Sequence, residues 1–245
     1  MKKIFSSIKL SVMLCIAVFA IASCVSDNTD QTVSYSSYFT ITGTSPNYVL
    51  LEDGGLTVYP TVESVNAITN GKGFGNNKRV FMTCSYDVNK DRTVDAHGKP
   101  VIKNAKLLGG QILTTTNVLN QEEATSKNIL ANDSIFPVMA FRNAWVANGY
   151  LTSIVTGQYS SKGSLAINPS INLYAAPEDI KTNAITFTIL YNRHSSKNES
   201  PAGILDFVNC YSLAGINVPG SDSISVTINV NGADPRKFKV GREDF

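Results

Sequence analysis

Oxygen-bearing side chains are closely spaced at Asp87-Val-Asn-Lys-Asp-Arg-Thr-Val-Asp95, where Asp87, Asn89, Asp91 and Asp95 take positions 1, 3, 5 and 9 of a calcium-type loop. Hard cations favour such carboxylate sets. Position 6 is Arg92, where the tight turn needs Gly, and position 12 is Gly98, where a bidentate Glu belongs. The segment therefore reads as a solvated hairpin loop, and no metal is assigned. Histidine occurs twice, as His97 in a loop and His194 beside Ser195. Neighbours on an extended strand face opposite sides, so Ser195 and His194 cannot be nucleophile and base of one triad. The chain has no G-x-S-x-G elbow, no H-E-x-x-H and no paired C-x-x-C. No catalytic residue and no cofactor are expected.

Cys84 and Cys210 fall on strands of different expected domains, with Val80 and Met82 placing Cys84 on an apolar face. They read as two buried free thiols rather than a bridge. Gly71-Lys-Gly-Phe-Gly75 is glycine-rich, but no helix follows to aim its amides at a phosphate, so it reads as a plain loop. Residues 24–71 hold five acids and no Lys or Arg, whereas residues 72–106 hold eight basic and three acidic residues. Only Phe74, Phe81 and Tyr86 interleave with those bases, too few for a nucleic-acid stripe. Asp133-Ser134-Ile135 and Asp222-Ser223-Ile224 each resemble an Asp-Ser-aliphatic sequon for O-glycosylation, marking Ser134 and Ser223.

The first 23 residues form a secretory signal: Lys2 and Lys3, an apolar run from Leu10 to Ile21, then Ala22 and Ser23 before Cys24. The run is shorter than the roughly 20 apolar residues of a membrane-spanning helix. Ile21-Ala22-Ser23-Cys24 resembles a bacterial lipobox, with Cys24 the lipid attachment site and new N-terminus. Each buried acyl methylene contributes about 0.8 kcal/mol, so several chains on one cysteine anchor a protein without a spanning helix. Cleavage turns a formal charge of +2 into 18 basic against 19 acidic residues, which is no footprint for nucleic acid. Residues 24–38 are polar and read as a flexible tether.

With 43% hydrophobic but only 16% charged residues, the mature chain suits half-buried strands. Strand patterns at 35–42, 47–52, 56–59, 79–86 and 101–113, with a loop over 66–77, predict an OB-like barrel over residues 39–115. The pattern stops at 116–136, expected as a linker in which Asn120 and Glu123 form a capping box and open a short helix over 121–131. A protease cut near Lys127 should then leave two folded halves. Strand patterns at 138–147, 150–159, 164–174, 184–191, 204–211 and 223–230 predict an antiparallel β-sandwich over residues 137–245.

The lipobox, Tyr48-Val-Leu-Leu-Glu-Asp-Gly-Gly-Leu-Thr-Val-Tyr-Pro60, Arg79-Val-Phe-Met-Thr-Cys-Ser-Tyr86 and an expected hairpin at 191–207 together resemble the NigD-like lipoproteins of Bacteroidota. The resemblance covers nearly the whole mature chain. It implies an all-β fold, an N-terminal OB-like barrel followed by a C-terminal immunoglobulin-like β-sandwich, and no established activity. Where members usually carry an aromatic glycine-rich stretch, this chain has Trp145-Val-Ala-Asn-Gly-Tyr150.

The expectation for function is a non-enzymatic lipoprotein of the cell outer membrane, facing the periplasm or the surface, whose partners are the membrane through its lipid and an envelope glycan or a protein. One alternative is a structural fimbrial-type subunit. These mature by cleavage after a basic residue near the N-terminus, and here the first after Cys24 is Lys72. The other is a hydrolase, which the missing motifs oppose.

Overall fold

A computed structural model describes residues 31–75, 79–127, 129–130, 136–162, 165–194 and 200–245. The expected signal, Cys24, Ser134 and Ser195 lie outside the described residues.

The N-terminal unit is a closed five-stranded barrel. Its strands are β1 (Thr32–Thr44), β2 (Asn47–Glu52), β3 (Thr57–Pro60), β4 (Arg79–Asp87) and β6 (Pro100–Leu113), with β5 (Arg92–Val94) extending the β4–β6 hairpin beyond the wall. The ring runs β1-β2-β3-β6-β4 and closes through β4 against β1, all antiparallel except β3 with β6. Alternation drives the closure: Val80, Met82 and Cys84 of β4 join Phe39, Ile41, Leu50 and Leu107 in one buried cluster, as period-two patterning requires.

Two expectations for this half need correction. Strand β1 starts at Thr32, inside the segment expected as tether, because Tyr35 packs edge-on against Phe39 and Tyr86. The expected loop at 66–77 begins with helix α1 (Val62–Thr69). Thr61 caps its N-terminus through Oγ1, and Asn70 ends it in the left-handed conformation. Gly71-Lys-Gly-Phe-Gly75 then carries Phe74 into the barrel core against Tyr48. Gly73 is required there: its φ is +62°, and a Cβ would lie 2.3 Å from the Tyr48 hydroxyl.

The C-terminal unit has two sheets sharing one core. One holds β7 (Thr115–Asn117), β8 (Ala140–Ala147), β9 (Tyr150–Lys162), β10 (Leu165–Ile167) and β14 (Gly203–Ser212). The other holds β11 (Ser170–Tyr174), β12 (Ile180–Lys181), β13 (Ala184–Asn192), β15 (Ile224–Val230) and β16 (Ala233–Val240). Leu151 and Val155 from the first sheet meet Phe187, Ile189, Val226 and Ile228 from the second. Tyrosines tie the sheets together: Tyr211 of β14 donates to the Ile171 carbonyl, and Tyr191 of β13 to the Gln158 carbonyl.

Four further expectations fail on connectivity. The sheets are not purely antiparallel, since β13 pairs parallel with β15 and β14 parallel with β7. Tyr191 and Phe207 do not flank a hairpin, because β13 and β14 belong to different sheets and the chain crosses between them. The single strand expected at 164–174 is instead β10 and β11 in different sheets, broken before Pro169, which has no N–H for a ladder. The expected linker is structural: β7 joins β14, and α2 (Gln121–Ser126), opened by the Asn120–Glu123 capping box, packs Ala124 in a cluster with Tyr174 and Leu190.

Candidate functional site

The barrel carries a cleft of about 420 Å³ where the projecting β5–β6 arm passes the end of β3. Volumes of about 300–1,000 Å³ are usual for small-molecule sites. The β3–β6 ladder shifts register between Val58 and Pro60, and Tyr59 there is 44% exposed on the cleft wall. Pro60 ends the strand, and the Thr61 amide donates to the Ala105 carbonyl at 2.8 Å, so this wall is fixed to β6. Val94, 62% exposed, and the buried Val101 also line the cleft, with Asp95, Lys103 and Asn104 adding polar groups.

The expected hairpin loop supplies the rigidity of these polar groups. Asp87 Oδ1 accepts from the Asn89 and Lys90 amides, and Asp91 Oδ2 from the Asp87 amide. Asp91 Oδ1 holds the Asn104 carboxamide at 3.3 Å, and the Lys103 amide donates to the Asp91 carbonyl at 2.8 Å. The carboxylates are thus turned to the loop's own amides instead of a common centre. Among the described residues, no group of three or more His, Cys, Asp or Glu is placed to hold a metal. At the arm's tip, Asp95 Oδ1 accepts from the Lys99 and His97 amides, each at 2.8 Å. The Lys99 amide, then that of His97, holds the Asp95 carboxyl below its ordinary range against the opposing effect of desolvation, so Asp95 faces the cleft as an anion.

The other sequence-marked residues are not gathered here. His97 sits on the arm, while His194 lies in the C-terminal unit hydrogen-bonded to Ser170. Ser223 is exposed just before β15, where it could be reached for modification. Cys84 and Cys210 are both buried free thiols. Burial, and secondarily the charge of Glu52, pushes the Cys84 thiol up to about 12.

Two groups carry no local signal in the sequence: Tyr59 on the cleft wall and the buried Arg79. Arg79 does not belong to a basic face. It is fully buried between the two units, paired with Asp53 and hydrogen-bonded to Thr40 and Thr152. Burial works against its charge, but the Asp53 carboxylate outweighs it and raises the guanidinium pKa. Trp145 donates to Asp53 Oδ2 at 2.6 Å, and Tyr150 lies under Arg79 with its ring centre 5.5 Å away. The segment from Trp145 to Tyr150 therefore clasps the two units together.

A closed five-stranded barrel joined to a two-sheet unit defines an all-β architecture. Solved structures with this arrangement include a candidate lipoprotein of Bacteroides fragilis (TM-score 0.53, 11% identity, covering 85% of this chain and 97% of that one). A candidate toxin-related protein of Parabacteroides distasonis is similar over 85% of this chain and 94% of its own (TM-score 0.52, 16% identity). A NigD-like immunity protein of Bacteroides caccae is similar over 85% and 92% (TM-score 0.50, 14% identity). At these identities the likeness is one of fold. No protein-family model matches the sequence, and no curated protein matches it.

Proposed function

We propose that this chain is a lipid-anchored protein of the outer membrane that works by binding, presenting the barrel cleft to an envelope glycan or to a protein partner. In this reading the barrel is OB-like and the C-terminal unit an immunoglobulin-like sandwich adapted by its parallel strand pairs. The cleft carries the proposal: the exposed Tyr59 ring and Val94 offer an apolar wall, with the Asp95 carboxylate, the Lys103 ammonium and the Asn104 carboxamide beside it on rigid elements. OB barrels use the strand face next to such an arm for oligosaccharides. The envelope setting rests on the lipobox at Cys24 and on a structural neighbour described as a lipoprotein. Binding is favoured over hydrolysis because His97 and His194 lie in separate units. A fimbrial-type subunit is disfavoured because Lys72, the first basic residue after Cys24, follows α1 inside the barrel unit.

The test is a glycan array and a partner pull-down with the chain from Gln31 onward, alongside a Tyr59→Ala variant. Retention of a glycan or a protein that Tyr59→Ala loses is the expected result; retention of neither would overturn the reading. Cys24→Ala should in parallel abolish palmitate labelling, and unchanged labelling would remove the anchor.

A further inference from the structure

The second sheet of the C-terminal unit carries its own cleft, of about 340 Å³, between the end of α2 and strands β11 and β13. Ser170 pairs with Asn192 across the two strands, and Asn172 with Leu190 on the next rung. Direct partners in an antiparallel pair share a face with Cβ atoms about 4.5–5.5 Å apart, so these groups form a platform of fixed spacing. Leu190 is buried, and it packs with Ile129 in the small cluster beneath α2, giving the cleft an apolar floor.

His194 is held over the platform from two sides. Its amide donates to Asn192 Oδ1 at 2.7 Å, and its ring Nε2 bonds the Ser170 hydroxyl. Its backbone lies at φ +57°, a conformation that needs such local support in a non-glycine residue. The half-buried Asn172 carboxamide lines the cleft and has no hydrogen-bond partner among the described residues.

We propose that this cleft is a second binding site, taking the ring of a neutral sugar. A hydroxyl, carboxamides and an imidazole can each donate or accept, which matches a ligand whose every substituent does both. Leu190 and Ile129 match the C–H face of a sugar ring. Among the described lining residues none is a carboxylate that could ligate a hard cation, and none is aromatic to stack a base. Lys127 is the one lysine or arginine among the described lining residues, where α2 ends. The site is separate from the barrel cleft and stands whether or not that cleft binds a glycan. Where both act, one lipid-held molecule engages an envelope polymer at two points, and the second contact forms at high effective concentration.

Saturation-transfer NMR on the chain from Gln31 onward, with glucose, N-acetylglucosamine and glucuronic acid as separate probes, tests the assignment. Transfer to the ring protons of a neutral sugar is expected. It should weaken about tenfold in Asn172→Ala, the scale of one lost hydrogen bond. Asn172→Asp, which keeps the side-chain size but removes the amide donors, should weaken it too. On a Tyr59→Ala background, where the barrel cleft is impaired, Asn172→Ala should cause the same loss, which separates this site from the barrel cleft. Absence of transfer from both neutral sugars, transfer from glucuronic acid alone, or transfer undiminished by the Asn172 substitutions on the Tyr59→Ala background would each overturn it.

Discussion

The two carboxylate oxygens of Asp53 each receive an N–H of Arg79, Nη1 at 2.5 Å and Nη2 at 2.6 Å. Asp53 sits in the turn after β2 and Arg79 opens β4, so both belong to the barrel. Yet the same guanidinium reaches Thr152 of β9 at 2.9 Å, and the same carboxylate accepts from Trp145 of β8. The pair therefore joins the two units through a buried, geometrically specific set of bonds. Asn148 adds amide contacts to the Leu51 and Glu52 carbonyls at 3.5 Å.

Removing one member of such a pair leaves a buried charge without its counter-charge. Asp53→Asn should lower stability by about 3–5 kcal/mol in urea denaturation. The double variant Asp53→Leu/Arg79→Met should recover much of that loss, because it buries no charge. An Asp53→Asn midpoint equal to the parent would mean that the pair is not buried in solution.

Strand β15 alternates buried and half-buried residues without a break, with Val226 at 1% exposure and Thr227 half-buried. Val226→Asp places a charge without a partner between the two sheets and should collapse the C-terminal unit. Thr227→Asp, one residue on, should melt close to the parent, as successive side chains face opposite sides. Circular dichroism melts decide it, and equal losses would mean that both faces of β15 are closed to water.

A cut after Lys127 should leave the fragments bound to each other. The piece before the cut carries β7, paired with residues 210–212, and Leu119, whose amide donates to the Leu173 carbonyl at 2.8 Å. It also carries Asp53 and Arg79. The nicked protein should elute from a sizing column with the intact chain; two separate peaks would return residues 116–136 to the role of a simple linker.

The Cys84 thiol, fully buried in the barrel, should resist iodoacetamide at pH 8 and react once urea opens the fold. At that pH a thiol pushed up to about 12 is almost wholly protonated, and the thiolate is the nucleophile. Modification in native buffer at the rate of an unfolded control would show that the barrel opens.

What was legible in the sequence is what period two and local capping write into it. The apolar faces of β4 and β15 and the Asn120–Glu123 box were readable because each is specified within ten residues. Helix α1 was hidden, since eight residues with Asn66 inside and Asn70 after it look like loop composition. Strand β16 was missed for a related reason: Pro235, Arg236, Lys237 and Lys239 are what an exposed edge strand uses to avoid pairing with other chains. The site was least legible. Tyr59 shares a cleft with Asp95 and Asn104 only because β3 closes the barrel against β6, and Trp145 meets Asp53 across 92 positions. No local pattern records either approach.

The most direct test of binding through the barrel cleft is a map of backbone amide shifts in the chain from Gln31 onward, titrated with the glycan or peptide best retained in the array and pull-down. Saturable shifts concentrated at residues 57–60, 92–95 and 101–104, absent in Tyr59→Ala, are expected. Shifts that bypass these residues, or that persist in Tyr59→Ala, would contradict binding there.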